Sequence, residues 1–190
     1  MARAWSESRH VDVGKPTPLL GDLSPSSFMR RHWQKRPLVV RAALAEAMPG
    51  FDRDALFALA ARDDVESRLV GREGTRWSLR RGPLGRRALP PLAGRGWSLL
   101  VQGVDLHDAR ARSLLDRFRF VPDARLDDVM VSYASDGGGV GPHVDSYDVF
   151  LLQLAGRRRW RIARPAPHVL REGVPLALLA RFRAEQAWTL

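Results

Sequence analysis

The residues most able to do chemistry lie between positions 137 and 160, "GGGVGPHVDSYDVFLLQLAGRRRW". His143 and Asp145 are separated by one residue. In an extended segment alternate side chains share a face, so an imidazole nitrogen and a carboxylate oxygen can reach one ion. His-x-Asp supplies two corners of the two-His, one-carboxylate facial triad that holds Fe(II), leaving cis positions open for substrate and dioxygen. The glycines at 137–139 and 141 allow the backbone to bend sharply ahead of these two residues. A phosphate-binding loop is excluded, because such a loop needs Gly-Lys-Ser/Thr opening a helix. Here the glycines run into Pro142 and His143, and no lysine follows.

The second chemical feature is Arg158. Ala155-Gly156 reads as a two-residue turn joining strands "VFLLQL" and "RRRWRI", which would pair Leu154 with Arg157 and Gln153 with Arg158. Along the second strand, Arg158 shares its face with Trp160 and Ile162, while Arg157, Arg159 and Arg161 share the other. The apolar pair marks the first face as buried, so Arg158 points inward and needs an anionic partner. Two partners satisfy this reading: a carboxylate-bearing cosubstrate held in a bidentate fork, or a buried aspartate such as Asp148.

The elements that must position these residues follow from local signals. Ser24-Pro25 is an N-cap with proline at the first helical position, predicting a helix through Phe28 and Trp33 that ends before Pro37. "PLVVR" at 37–41 reads as a strand. Asp52 is expected to cap a second helix carrying Leu56, Leu59 and Ala60 on one face. "VESRLVG" and "TRWSLRRG" form a hairpin about "GREGT", "WSLLVQGV" is a further strand, and residues 108–119 are helical through Leu114, Leu115 and Phe118. "DVMVSYAS", "YDVFLLQL" and "RRRWRIA" are strands. Helices first and antiparallel strands later indicate a mostly β fold with N-terminal helices, an α+β arrangement.

Composition narrows the function classes. With no cysteine, disulfides, thiolate metal sites and cysteine nucleophiles are excluded, so a metal must be held by His, Asp or Glu. The opening residues lack the apolar core of a signal peptide, and no apolar run is long enough to span a bilayer. A cytoplasmic location with no membrane partner is expected. The formal charge is +10, almost all of it arginine, since only Lys15 and Lys35 are lysines. That balance attracts polyanions, although arginines scattered over solvated faces would give the same sum.

The motif "GGGVGPHVDSYDVF" with "GRRRWR" resembles the bacterial ribosomal oxygenases, JmjC-type cupins that depend on iron and 2-oxoglutarate. "RHWQKRP" at 31–37, "SRLV" at 67–70, "WSLLVQ" at 97–102 and "DDVMVS" at 127–132 agree in order. The resemblance implies a double-stranded β-helix, or jelly roll, over 23–190 after an extension at 1–22. It implies hydroxylation of an arginine on a large-subunit ribosomal protein, with Fe(II) and 2-oxoglutarate as cofactors. By position, His143 and Asp145 match the first two iron ligands, Arg158 matches the residue gripping the distal carboxylate of 2-oxoglutarate, and Ser132 lines the same pocket. Ribosomal RNA contact and a homodimer of the full-length form are further associations this reading allows. The family's second histidine and closing strands are not found in these 190 residues. His168 lies in the proline-broken "ARPAPHVL", which resembles no ligand strand. The expectation is therefore an incomplete jelly roll with an open strand edge, marginally stable or self-associating. A catalytically incomplete, basic ribosome- or RNA-binding module is the alternative.

Overall fold

The computed structural model describes residues 11–44, 53–164 and 167–190. The chain forms two compact units, one from the residues up to 49 with Gly103–Val129, the other from Gly50–Gln102 with Met130–Leu190.

In the first unit, helix α1 spans Pro25–Arg31. Ser24 caps it by accepting from the Ser27 N–H, with Pro25 at the first helical position. The helix ends earlier than the sequence predicts. His32 is its C-cap, and Trp33 lies beyond it with its N–H bonded to the Phe28 carbonyl at 3.2 Å. The "PLVVR" run forms no strand; no sheet of the structure includes it. A second helix of this unit, labelled α3 by chain order, spans Ala109–Asp116 and is capped by Asp108. Phe28, Val104, Ala111, Leu114, Phe118 and Val121 are buried, and Phe28 meets Phe120 edge-on at 6.1 Å.

Among its described residues the second unit holds α2, Arg53–Ala60, and six strands: β1 Ser67–Glu73, β2 Arg76–Arg81, β3 Trp97–Val101, β4 Val131–Ala134, β5 Arg159–Ile162 and β6 Gln186–Thr189. The cap assigned to Asp52 lies outside the described residues. On α2, Leu56, Phe57 and Ala60 are the buried face, Phe57 taking the place expected of Leu59. β1 and β2 form the expected hairpin, with Glu73 opposite Arg76 and Gly74 in the turn at φ 58°. The four-stranded sheet runs β2-β1-β3-β4, all antiparallel. β3, at its centre, is buried at every position.

Residues directly opposite in an antiparallel ladder share a face. Leu69, Leu99 and Tyr133 therefore line one face with Trp97 and Ser78, and α2 covers it through Phe57, whose ring meets Trp97 and Tyr133. Trp77, Arg68, Leu100 and Ser132 lie on the opposite face.

The hairpin expected at Ala155-Gly156 does not form. β5 pairs instead with β6, Trp160 opposite Trp188, and Arg158 exchanges both backbone bonds with Leu190. The reason lies in turn chemistry. Two-residue hairpins need positive φ at both central positions, or glycine at the first. Here alanine is first, and only Gly156 has positive φ, 69°. "YDVFLLQL" accordingly lies in no strand.

Candidate metal and cosubstrate site

The approach to His143 is built on close backbone packing. Ser135, buried at the end of β4, accepts from the Trp97 N–H at 3.0 Å and donates to the Trp97 carbonyl at 3.2 Å. The chain then turns against β3 so tightly that a Cβ on Gly138 would lie 2.3 Å from the Trp97 carbonyl oxygen. Gly141 has φ 77°, and a Cβ there would sit 2.8 Å from Leu178 Cδ2 and 3.0 Å from Trp77. Both positions require glycine, one for space and one for conformation as well. Past Gly141, the Leu179 N–H bonds the Pro142 carbonyl at 2.8 Å and Leu178 is buried. This brace from the 176–179 segment had only a weak sequence signal, the apolar run in "VPLALLA".

Held in this way, His143 and Asp145 meet as the two-residue spacing predicts. Nε2 of His143 stands 3.4 Å from Oδ2 of Asp145, and Nδ1 lies 3.0 Å from the Gly141 carbonyl oxygen. A carbonyl can only accept, so Nδ1 is the donor in that bond, and Nε2 is the nitrogen turned toward the carboxylate. Imidazole Nε2 and a carboxylate oxygen facing one point suit a divalent transition metal, and the backbone bond to Nδ1 fixes the ring. Among the described residues, no group of three His, Asp or Glu side chains could hold a metal ion. His168 does not join the pair.

Arg158 takes the inward orientation. It is half-buried with Trp160 and Ile162, while Arg157, Arg159 and Arg161 are exposed. Burial lowers the affinity of its guanidinium for the proton relative to an ordinary arginine. Its Nη1 donates to Ser132 Oγ at 3.2 Å, joining the residue that leads into β5 to β4 across 26 positions. The guanidinium carbon lies 5.6 Å from the centre of the Trp160 ring. Among the described residues no carboxylate comes within ion-pair distance of Arg158, which leaves the Asp148 pairing unsupported. Nearby, Trp160 Nε1 is closed off from solvent and has no hydrogen-bond partner among the described residues. A desolvated cation beside an unused indole N–H fits an anionic, oxygen-rich ligand such as a dicarboxylate. The indole donor was legible only as a buried tryptophan; nothing in its spacing marked an unmet N–H.

Residues 113–190 match the JmjC domain. With the sheet above, this gives the chain a JmjC domain of cupin fold, and its sequence and structure are similar to those of ribosomal oxygenases. It is 43% identical over 135 residues to the Escherichia coli (strain K12) ribosomal protein uL16 3-hydroxylase, across 71% of this chain and 36% of that protein. It is 39% identical over 143 residues to a probable ribosomal oxygenase of Haemophilus influenzae, across 75% of this chain and 35% of the relative. The structure of Escherichia coli YcfD superposes with a TM-score of 0.83 at 37% identity, covering 90% of this chain and 45% of that one. YcfD in complex with cobalt and 2-oxoglutarate gives 0.77, at 88% and 43% coverage. The chain thus spans little more than a third of the length of these two curated relatives.

Proposed function

We propose that this chain provides the iron and 2-oxoglutarate site of a protein hydroxylase acting on an arginine of a large-subunit ribosomal protein. The observation that carries the reading is Arg158: a half-buried guanidinium, bonded to Ser132, with no carboxylate of the described residues to neutralise it. The uL16 hydroxylase and the 2-oxoglutarate complex among the relatives support the same assignment.

In this proposal His143 Nε2 and Asp145 Oδ2 hold the metal. Arg158 and the Ser132 hydroxyl hold the distal carboxylate of 2-oxoglutarate, and the Trp160 indole N–H donates toward the same group. Bound iron with 2-oxoglutarate and dioxygen supplies the oxidation that places a hydroxyl on a substrate carbon, releasing succinate and carbon dioxide. The protein's part is orientation. Partial burial of Arg158 strengthens its grip on an anion, because fewer waters compete for the guanidinium. The Gly141 carbonyl holds the His143 ring so that Nε2 does not turn away from Asp145.

Calorimetric titration of 2-oxoglutarate in the presence of Mn(II) tests the site. Wild-type protein should bind, Arg158→Ala should bind about 10- to 100-fold more weakly, and His143→Ala should lose the metal-dependent part. Equal binding by all three would overturn the assignment. Incubation of the protein with a large-subunit ribosomal protein should add one oxygen to an arginine, read by peptide mass spectrometry. Modification of another residue type would overturn the substrate assignment alone.

A second reading is favoured by one observation, the lack of a three-ligand group among the described residues. On that reading the chain is a basic binding module for ribosome or RNA. Mn(II) and 2-oxoglutarate would then leave its thermal unfolding unchanged.

A further inference from the structure

The positive charge is not spread evenly. Residues 67–96 carry eight arginines and a single acid, Glu73, a net +7 of the chain's +10. This stretch comprises the β1–β2 hairpin and the loop leading to β3, and β2 is an edge strand of the four-stranded sheet. Arg72, Arg76, Arg80, Arg81, Arg86 and Arg87 are all exposed. Among the described residues none of these six has a carboxylate within ion-pair distance; Arg68 and Arg95 alone do, on Glu66 and Asp136. The contrast with α3 and the turn after it is direct, where Arg110, Arg112 and Arg119 sit on Asp108, Asp105 and Asp116.

The six cations are also organised. Arg76 and Arg80 share the α2-side face of β2 with Ser78 between them. Arg80 Nη1 donates to the Ala88 carbonyl at 2.8 Å, which brings the turn bearing Arg86 and Arg87 alongside the strand. Between them opens a groove of about 340 Å³ lined by Leu69, Ser78, Arg80, Leu89, Pro90 and Trp97. Edge strands often carry a charge or two to prevent pairing with another chain. That accounts for neither the off-strand Arg86 and Arg87 nor the apolar-walled groove beside them. Ser132 and Arg158 lie on the other face of the sheet, so this surface is separate from the candidate site.

We infer that the β2 edge and the 86–90 turn bind single-stranded RNA, with Arg76, Arg80, Arg86 and Arg87 on phosphates and a base against the walls of the groove. Guanidinium forks suit phosphate oxygens, and an apolar wall beside a cationic track suits an unstacked base. The inference stands independently of the hydroxylase reading, because neither cosubstrate nor metal takes part.

The test is fluorescence anisotropy of the full chain with a labelled oligouridylate of about 12 nucleotides. With four phosphate contacts, affinity should fall about 50-fold between roughly 50 and 200 mM KCl. The variant Arg76→Gln/Arg80→Gln/Arg86→Gln/Arg87→Gln should lose affinity on the order of 100-fold. The control Arg157→Gln/Arg159→Gln/Arg161→Gln/Arg183→Gln, which removes the same charge elsewhere, should change it by less than about threefold. Equal losses in the two variants would mean that net charge alone attracts RNA and would overturn the proposal. Equal displacement of the RNA by poly-glutamate would overturn RNA as the partner in favour of an acidic protein. Ultraviolet cross-linking of the unaltered protein, independent of how the variants fold, should map to residues 72–97, and cross-links confined to other segments would refute it.

Discussion

The two sheets of the second unit use similar residues in opposite ways. In the four-stranded sheet β3 is buried at every position, and Phe57, Trp97 and Tyr133 pack ring to ring under α2. In the two-stranded sheet, the exposed and half-buried positions of β5 alternate. Between the His-x-Asp pair and β5, Tyr147, Val149, Leu151 and Leu154 are exposed. Pairing on both flanks and a covering helix explain the first; among the described residues β5 pairs with β6 alone. The lesson is a division of labour. The four-stranded sheet is the packed base, and the candidate site hangs from it through Ser132 on β4 and the glycine turn that follows.

The strongest way to break this comparison is to remove a side chain from each sheet. Leu99→Ala, at 0% exposure, should cost about 2–5 kcal/mol in urea unfolding. Leu151→Ala, at 50% exposure, should stay within about 0.5 kcal/mol. Similar losses would mean that both regions are equally closed in solution. A second test separates stability from function at the residue that leads into β5. Arg158→Met should leave the urea midpoint unchanged or raise it, because a half-buried cation without a carboxylate is replaced by an apolar chain. The same variant should weaken 2-oxoglutarate binding about 10- to 100-fold; a large loss of stability would make Arg158 a structural residue.

The glycine turn sharpens the comparison at the seam. Gly138→Ala must push against the Trp97 carbonyl and should cost about 1–3 kcal/mol by thermal denaturation. At Gly139 an added Cβ meets nothing within 4 Å, so Gly139→Ala should be neutral or stabilise by about 0.5 kcal/mol. A smaller loss than that of Gly138→Ala belongs to α3, a reference outside both sheets. Asp108→Ala should cost about 1 kcal/mol at neutral pH. The Arg110 side chain, with the Arg110 and Ala111 backbone N–H groups, holds the Asp108 carboxyl at about 2, below its usual 3.8. A depressed pKa gives stability that is present above about pH 4 and lost as pH falls toward 2. The gap between variant and wild type should close over that window in a pH series of melts.

Much of this architecture is legible in local residue patterns. Ser24-Pro25 marks the start of α1, alternation about Gly74 marks the hairpin, and the one-residue gap between His143 and Asp145 brings their side chains together. Trp160 and Ile162 put Arg158 on the inner face through the two-residue period alone. These readings hold because capping, turn conformation and strand alternation act over a few residues, where one backbone geometry dominates. Which partner a strand finds is another matter. "PLVVR" and "YDVFLLQL" have strand composition but no ladder, since a strand exists only where a neighbour offers matching donors and acceptors. β5 finds its neighbour at 186–189, and Arg158 meets Ser132 across 26 positions. The chain's own residues determined which groups are available for chemistry and which way each points along its segment. Only the tertiary structure decided which of them meet, because long-range pairing depends on competing partners, close backbone approach and desolvation, which no local pattern encodes.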